Sequence, residues 1–131
     1  MSSPLVHKKF IFNEKIDGEY LFSLYEYDYP YIAEVFGSSL ESLKEESGHF
    51  FSAFESANIS DLKKAAHKIK PIFGFTGLLN HQEQLARFEH LCENTSNVSN
   101  ITLQYMELIE TMKEGKNIIK DDYNRLTAFI A

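Results

Sequence analysis

Leu62–Leu79 reads LKKAAHKIKPIFGFTGLL, and its periodicity decides how the chain folds. On a helical wheel of about 100° per residue with His67 as zero, Leu62, Ala65, Ile69, Ile72, Phe73 and Thr76 lie within about 60° of the opposite pole. Lys63, Lys64, Lys70, Pro71, Gly74 and Leu78 lie within about 60° of His67. A helix built this way buries its apolar stripe and wets its lysine stripe. His67 is therefore predicted to face water, opposed to the core, on a helix running from about Asp61 to Leu79.

The same helical period extends in both directions. Upstream, Ile32, Val35, Phe36, Leu40, Leu43, Phe50 and Phe54 recur at steps of three and four or their sums, predicting a long amphipathic helix over about 29–57. A short helix from Asp17 to about Tyr27 precedes it, with Tyr20, Leu21 and Leu24 on one side. Asn58 and Ser60 supply stop and cap chemistry between the long helix and the histidine helix. Downstream, Asn80 with Glu83 fits a capping pattern for a helix over about 81–94, with Leu85, Phe88, Leu91 and Cys92 turned inward. After the polar break Asn94–Asn97, a last long helix carries Ile101, Tyr105, Leu108, Ile109, Met112, Ile119, Tyr123 and Leu126, with Gly115 as its expected irregularity. Strand signals are almost absent. The predicted fold is all-α: an antiparallel up-and-down four-helix bundle with a short extra N-terminal helix. Residues 1–16 read as an aperiodic tail whose Phe10-Ile11-Phe12 could dock on the body, and 17–131 as one domain.

Composition narrows the function. A chain of 131 residues is one domain's worth, and 44% hydrophobic with 24% charged residues is neither disordered nor fibrous. A net charge of −6 argues against nucleic acid as the main partner. A single cysteine, Cys92, excludes an internal disulfide and a cysteine-based zinc site, and it reads as a small buried hydrophobe. No run is apolar enough to cross a membrane, and Met1–Asn13 lacks the pattern of a secretory signal. A cytoplasmic monomer is expected, and Met1 without a linker points to a stand-alone protein.

The chemistry is expected at His67. Lys63 and Lys64 lie one turn before it and Lys70 one turn after, so all three are its neighbours on the helix surface. Cationic neighbours disfavour a further positive charge, so the ring is expected to be neutral near pH 7, with a lone pair free for nucleophilic attack. The same ammonium groups suit an anion held at that nitrogen, a phosphoryl group in particular. The plainer alternative is a solvated charged face. Gly74 and Gly77 each cost about 0.8–1 kcal/mol relative to alanine inside a helix, which calls for close approach of another surface or another helix. Pro71 removes the N–H that would bond the His67 carbonyl and is expected to bend the helix.

Ala66-His67-Lys68-Ile69-Lys70, with Gly74 and Gly77 after it, resembles the signature of histidine-containing phosphotransfer (HPt) domains. In that family a lysine follows the histidine by three residues, a small residue by seven and a glycine by ten, matching His67, Lys70, Gly74 and Gly77. Leu85–Cys92 is similar to the family's next segment, and the likeness covers roughly 17–129. Pro71 stands where the family usually has glycine, and Phe73 where it has a small residue. The resemblance implies a relay without kinase activity. It takes a phosphoryl group from a receiver-domain aspartate of a response regulator or hybrid histidine kinase and passes it to another receiver. His67 would be the phosphoacceptor and Lys70 would steady the phosphoryl oxygens. Gly74 and Gly77 would admit the receiver surface, and Phe75 and Leu78 would form an apolar contact patch. Lys63, Lys64 and Pro71 complete the expected partner face. No cofactor is expected, any Mg²⁺ being the receiver's.

Three other readings compete. A histidine-kinase dimerisation helix normally has an acidic residue after the histidine, where this chain has Lys68, and no glycine-rich nucleotide loop is visible. A bundle that docks on a receiver without phosphotransfer stays open. A metal site using His81, Glu83, His90 and Glu93 fails on spacing, because His81 and His90 lie about 180° apart on one helix and no HExxH is present. His7 and His49 have no partners suggestive of catalysis. The triplets at Asn58, Asn94, Asn97 and Asn100 read as turn or cap residues rather than glycosylation sites.

Overall fold

The computed structural model describes residues 8–131, so His7 lies outside the described residues. Among the described residues five helices follow in order: α1 (Gly18–Tyr25), α2 (Tyr29–Glu55), α3 (Ile59–Phe75), α4 (Leu79–Glu93) and α5 (Thr102–Ile130), with a 3-10 turn at Val98–Ile101 ahead of α5. Side-chain caps start the first three. Asp17, Asp28 and Asn58 accept from the backbone N–H groups of Tyr20, Tyr31 and Asp61, satisfying donors that the first turn leaves free. Asn58 thus has the capping role that its position suggested.

α2, α3, α4 and α5 form the bundle, each packed on two of the others in the cycle α2–α3–α4–α5. Short connections force consecutive helices antiparallel. α2 and α5 are also antiparallel: Gly37 near the start of α2 lies against Tyr123 near the end of α5, and Phe50 near the end of α2 stacks on Tyr105 near the start of α5. The core is one apolar cluster in which Phe36, Phe50, Phe73, Leu43, Leu62, Ile69, Leu85, Ile119 and Leu126 are fully buried. Among the described residues, no helix is long and apolar enough to cross a membrane.

Three expectations about boundaries change. α3 stops at Phe75 rather than Leu79, because the chain turns there through a left-handed glycine. Gly77 has φ +76°, the Leu78 N–H donates to the Phe73 carbonyl at 2.9 Å, and the Gly77 N–H donates to the Gly74 carbonyl at 3.2 Å. This is the Schellman closure of a helix C-terminus. α4 accordingly begins at Leu79, with Leu78 as N-cap and no side-chain cap bond, so Asn80 does not cap it. α5 runs unbroken through Gly115, where a Cβ would stand 2.5 Å from Phe73 Cε1 and 3.0 Å from His81 Cδ2. Its missing side chain lets α5 approach the α3–α4 turn.

The described part of the N-terminal tail is not peripheral. Phe10 and Ile16 are buried in the core cluster. The Asn13 N–H donates to the fully buried Asp122 carboxylate at 2.6 Å, and Arg125 both pairs with Asp122 and donates to the Ile11 carbonyl. Lys15 pairs with Glu114 at 2.6 Å. The packed domain thus begins by Phe10, ahead of Asp17. Periodicity did not reveal this because an extended strap has no helical repeat.

Candidate functional site

The site is a strip of α3 and the facing edge of α4. Ala65, Ala66 and Ile69 are buried, which fixes the rotation of α3 and turns His67 outward. Its side chain is 66% exposed. The expectation of a solvent-facing imidazole therefore matches its position in the structure. Lys64 and Lys68 are also exposed, while Lys63 and Lys70 lean toward α4. His67, Lys63, Lys64 and Lys68, with Ser60, Glu89 and Glu93, line a groove of about 430 Å³.

The sequence reading missed α4's carboxylates. Glu89 Oε2 is 2.9 Å from His67 Nδ1, and Glu89 Oε1 is 2.9 Å from Lys70 Nζ. The Lys70 contact is ionic: the ammonium sits close to Oε1 but off the direction of a hydrogen bond, leaving that oxygen without a directed donor. One turn further along α4, Glu93 pairs with Lys63 at 2.9 Å. Glu89 and Glu93 are four residues apart, as Lys63 and His67 are, so the two helices meet rung by rung. The signal was present in the sequence as two acids at one-turn spacing. Only a helix pairing, not a single wheel, shows that they face the lysines. Lys63 and Lys70 consequently do not act on His67 as bare cations.

Desolvation pushes the Glu89 carboxyl up, but Lys70 and His67 together outweigh it, and its pKa is lowered. Glu89 is thus ionised at neutral pH and can only accept. The His67 ring nitrogen facing it, Nδ1, must then be the donor. In a neutral ring this leaves the lone pair on Nε2, the outward nitrogen. Glu93 is likewise lowered, chiefly by Lys63.

The remaining expected partner residues divide. Phe75 is 53% exposed, and with Leu24, Tyr25, Tyr31, Val35 and Ile72 it borders a groove of about 580 Å³. Pro71 is half-buried and lies within α3, which continues through it to Phe75. Gly74, Gly77 and Leu78 do not belong to a partner face. Leu78 is fully buried: it lies past the end of α3, where the turn at Gly77 redirects the chain and the helical period no longer applies. At Gly74 a Cβ would overlap Gln82 Nε2, so the approaching surface is α4 of this same chain. Gly77 needs its positive φ, and a Cβ there would meet Ile16 and Leu21 at 3.0 Å. Its neighbours are the strap and α1.

The other candidates fall elsewhere. Cys92 is buried, and desolvation pushes its thiol up to about 11, which leaves it protonated and inert. His81 is buried against Phe73, with Nε2 3.0 Å from Glu114 Oε1 and Nδ1 without a partner. His90 is exposed, 3.6 Å from Glu93, and His49 sits 3.0 Å from Glu46.

The chain matches no protein-family model, no curated protein and no solved structure. Its site therefore has to be read from its own chemistry.

Proposed function

We propose that this chain is a histidine phosphotransfer protein, in keeping with the HPt resemblance of its His67 segment, and that it relays a phosphoryl group between receiver-domain aspartates. The observation that carries the reading is the placement of His67: an exposed imidazole whose Nδ1 lies 2.9 Å from an ionised carboxylate, which in a neutral ring leaves the lone pair on the outward Nε2.

In the transfer, the Nε2 lone pair attacks the phosphorus of a receiver's aspartyl phosphate. The P–N bond forms as the P–O bond breaks, and its electron pair returns to the aspartate as carboxylate. The ring becomes cationic with its proton still on Nδ1, where Glu89 offsets the charge, as a buried acid does for a catalytic imidazolium. Onward transfer reverses these changes with neutral imidazole as the leaving group. The chain supplies position and charge, and Mg²⁺ would come with the receiver. Docking would add the exposed apolar residues Leu24, Tyr31 and Phe75, with Phe75 two turns along α3 from His67, in place of the buried Leu78.

The competing reading is a bundle that binds receivers without accepting phosphate. Both are tested by incubating the chain with ³²P-phosphorylated receiver domains of its own organism. The relay reading expects acid-labile, alkali-stable label on the wild type and none on His67→Gln. Label on His67→Gln would remove His67 from its role. Stable receiver binding without label on the wild type would establish the docking reading instead.

A further inference from the structure

Lys70 is expected to steady a phosphoryl group on Nε2, yet its ammonium stands 2.9 Å from Glu89, the carboxylate that also holds the opposite ring nitrogen. One carboxylate thus engages both groups of the site. It is well placed to compete: its side chain is only 14% exposed, and Lys70's only 29%, so water screens the pair less than it screens the outer Lys63–Glu93 pair. A phosphoryl group on Nε2 brings about two negative charges to the other edge of the ring. It would sit within reach of a side chain three residues along the same helix.

We propose that Glu89 is a positioning residue acting through Lys70: it holds the ammonium in the unloaded protein and releases it to the phosphoryl group once His67 is loaded. This rests on the phosphotransfer reading and adds to it. Lys70 is shared between two anions rather than reserved for one. Its pull on the phosphoryl group is reduced by what must be given up at Glu89, so the phosphohistidine is held less firmly and is more readily passed on.

A double-mutant cycle isolates the competition, because direct effects of Glu89 on the ring cancel within it. The full chain is loaded with phosphoramidate, whose P–N bond to ammonia breaks as the bond to Nε2 forms. The decay of phosphohistidine is then followed by ³¹P NMR in wild type, Lys70→Met, Glu89→Gln and the double variant. Lys70→Met should shorten the half-life in both backgrounds, and by on the order of three- to tenfold more in the Glu89→Gln background, where nothing competes for the lysine. Glu89→Asp should restore part of the wild-type behaviour, and Glu93→Gln should leave the Lys70 effect unchanged. An equal Lys70→Met effect in the wild-type and Glu89→Gln backgrounds overturns the proposal, as does an enlargement by Glu93→Gln equal to that by Glu89→Gln. If neither phosphoramidate nor phosphorylated receivers label wild-type His67, the relay reading itself falls. Label with no coupling overturns the shared lysine alone.

Discussion

The two ends of α3 are made of different physics. From Ser60 to Lys70 the outward face is wet and charged, and what crosses to α4 is ionic: Lys63 to Glu93, and Lys70 and His67 to Glu89. From Ile72 to Leu78 the same chain is enclosed, apart from the exposed ring of Phe75. Phe73 is locked under Gly115, Gly74 under Gln82, Gly77 against Ile16 and Leu21, and Leu78 is sealed from water. On a wheel, His67 and Gly74 share a face. In the molecule they belong to separate regions, one available to a visitor and one that closes the bundle. Nearness on one helix face therefore assigns a residue to a site only where no second helix covers that face.

If the closed end serves folding alone, its glycines should affect stability and leave His67 labelling per folded molecule intact. Gly115→Ala should have a large effect, through packing. Its Cβ would overlap the buried Phe73 ring, and overpacking of this kind costs about 1–3 kcal/mol, with alanine's better helix propensity returning at most about 1 kcal/mol. Urea unfolding measures it. An unchanged midpoint would mean that Phe73 has room to move and that the closed end is looser than its packing shows. Gly77→Ala should cost about 1–2 kcal/mol from the left-handed backbone alone, with the 3.0 Å approaches to Ile16 and Leu21 adding to it. A loss of labelling larger than the loss of folded protein would move Gly77 back to the partner face.

The closed end should also respond to acid. Burial lowers the pKa of His81, and the hydrogen bond to Glu114 recovers only part of the shift, with Lys15 opposing protonation further. As pH falls through the ordinary histidine value of 6.5, the unfolded chain takes up the proton first. Stability present above that pH is then lost progressively until the folded protein is protonated too. Protonated Nδ1 would find no acceptor in its pocket. Thermal unfolding between pH 7 and pH 5 should show the decline, and His81→Gln should flatten it. An equal slope in both proteins would place the acid sensitivity outside His81.

Legibility in the sequence follows the same division. The helices were readable because each buries a periodic stripe, and the orientation of His67 because Leu62, Ala65 and Ile69 had to face inward. What escaped required knowledge of a second element. On a wheel Gly77 reads as an interior helix residue, although a glycine just past a helix is its commonest stop. The apolar triplet at Phe10 suggested its docking, but Ile16 has no period to announce its burial, and Asp122 is a charged residue whose partners include the strap. Glu89 and Glu93 became part of the site only when α4 was laid against α3.

The smallest expected effect bears on the open end. Lys63 and Glu93 are each close to half exposed, so their pair is screened by solvent, and holding two long side chains together offsets most of its attraction. Lys63→Ala should leave the urea midpoint unchanged within error, in contrast to Gly115→Ala at the other end. Its effect should appear instead in association. If the chain docks receivers as proposed, a cation lost from the rim of the histidine strip weakens the attraction of an acidic partner surface, lowering the on-rate by an amount that shrinks as salt rises. Stopped-flow binding of a receiver domain at low and high ionic strength measures this. A midpoint shift as large as that of Gly115→Ala would mean that the ionic rungs hold the bundle together, and the contrast between the two ends of α3 would then be one of degree.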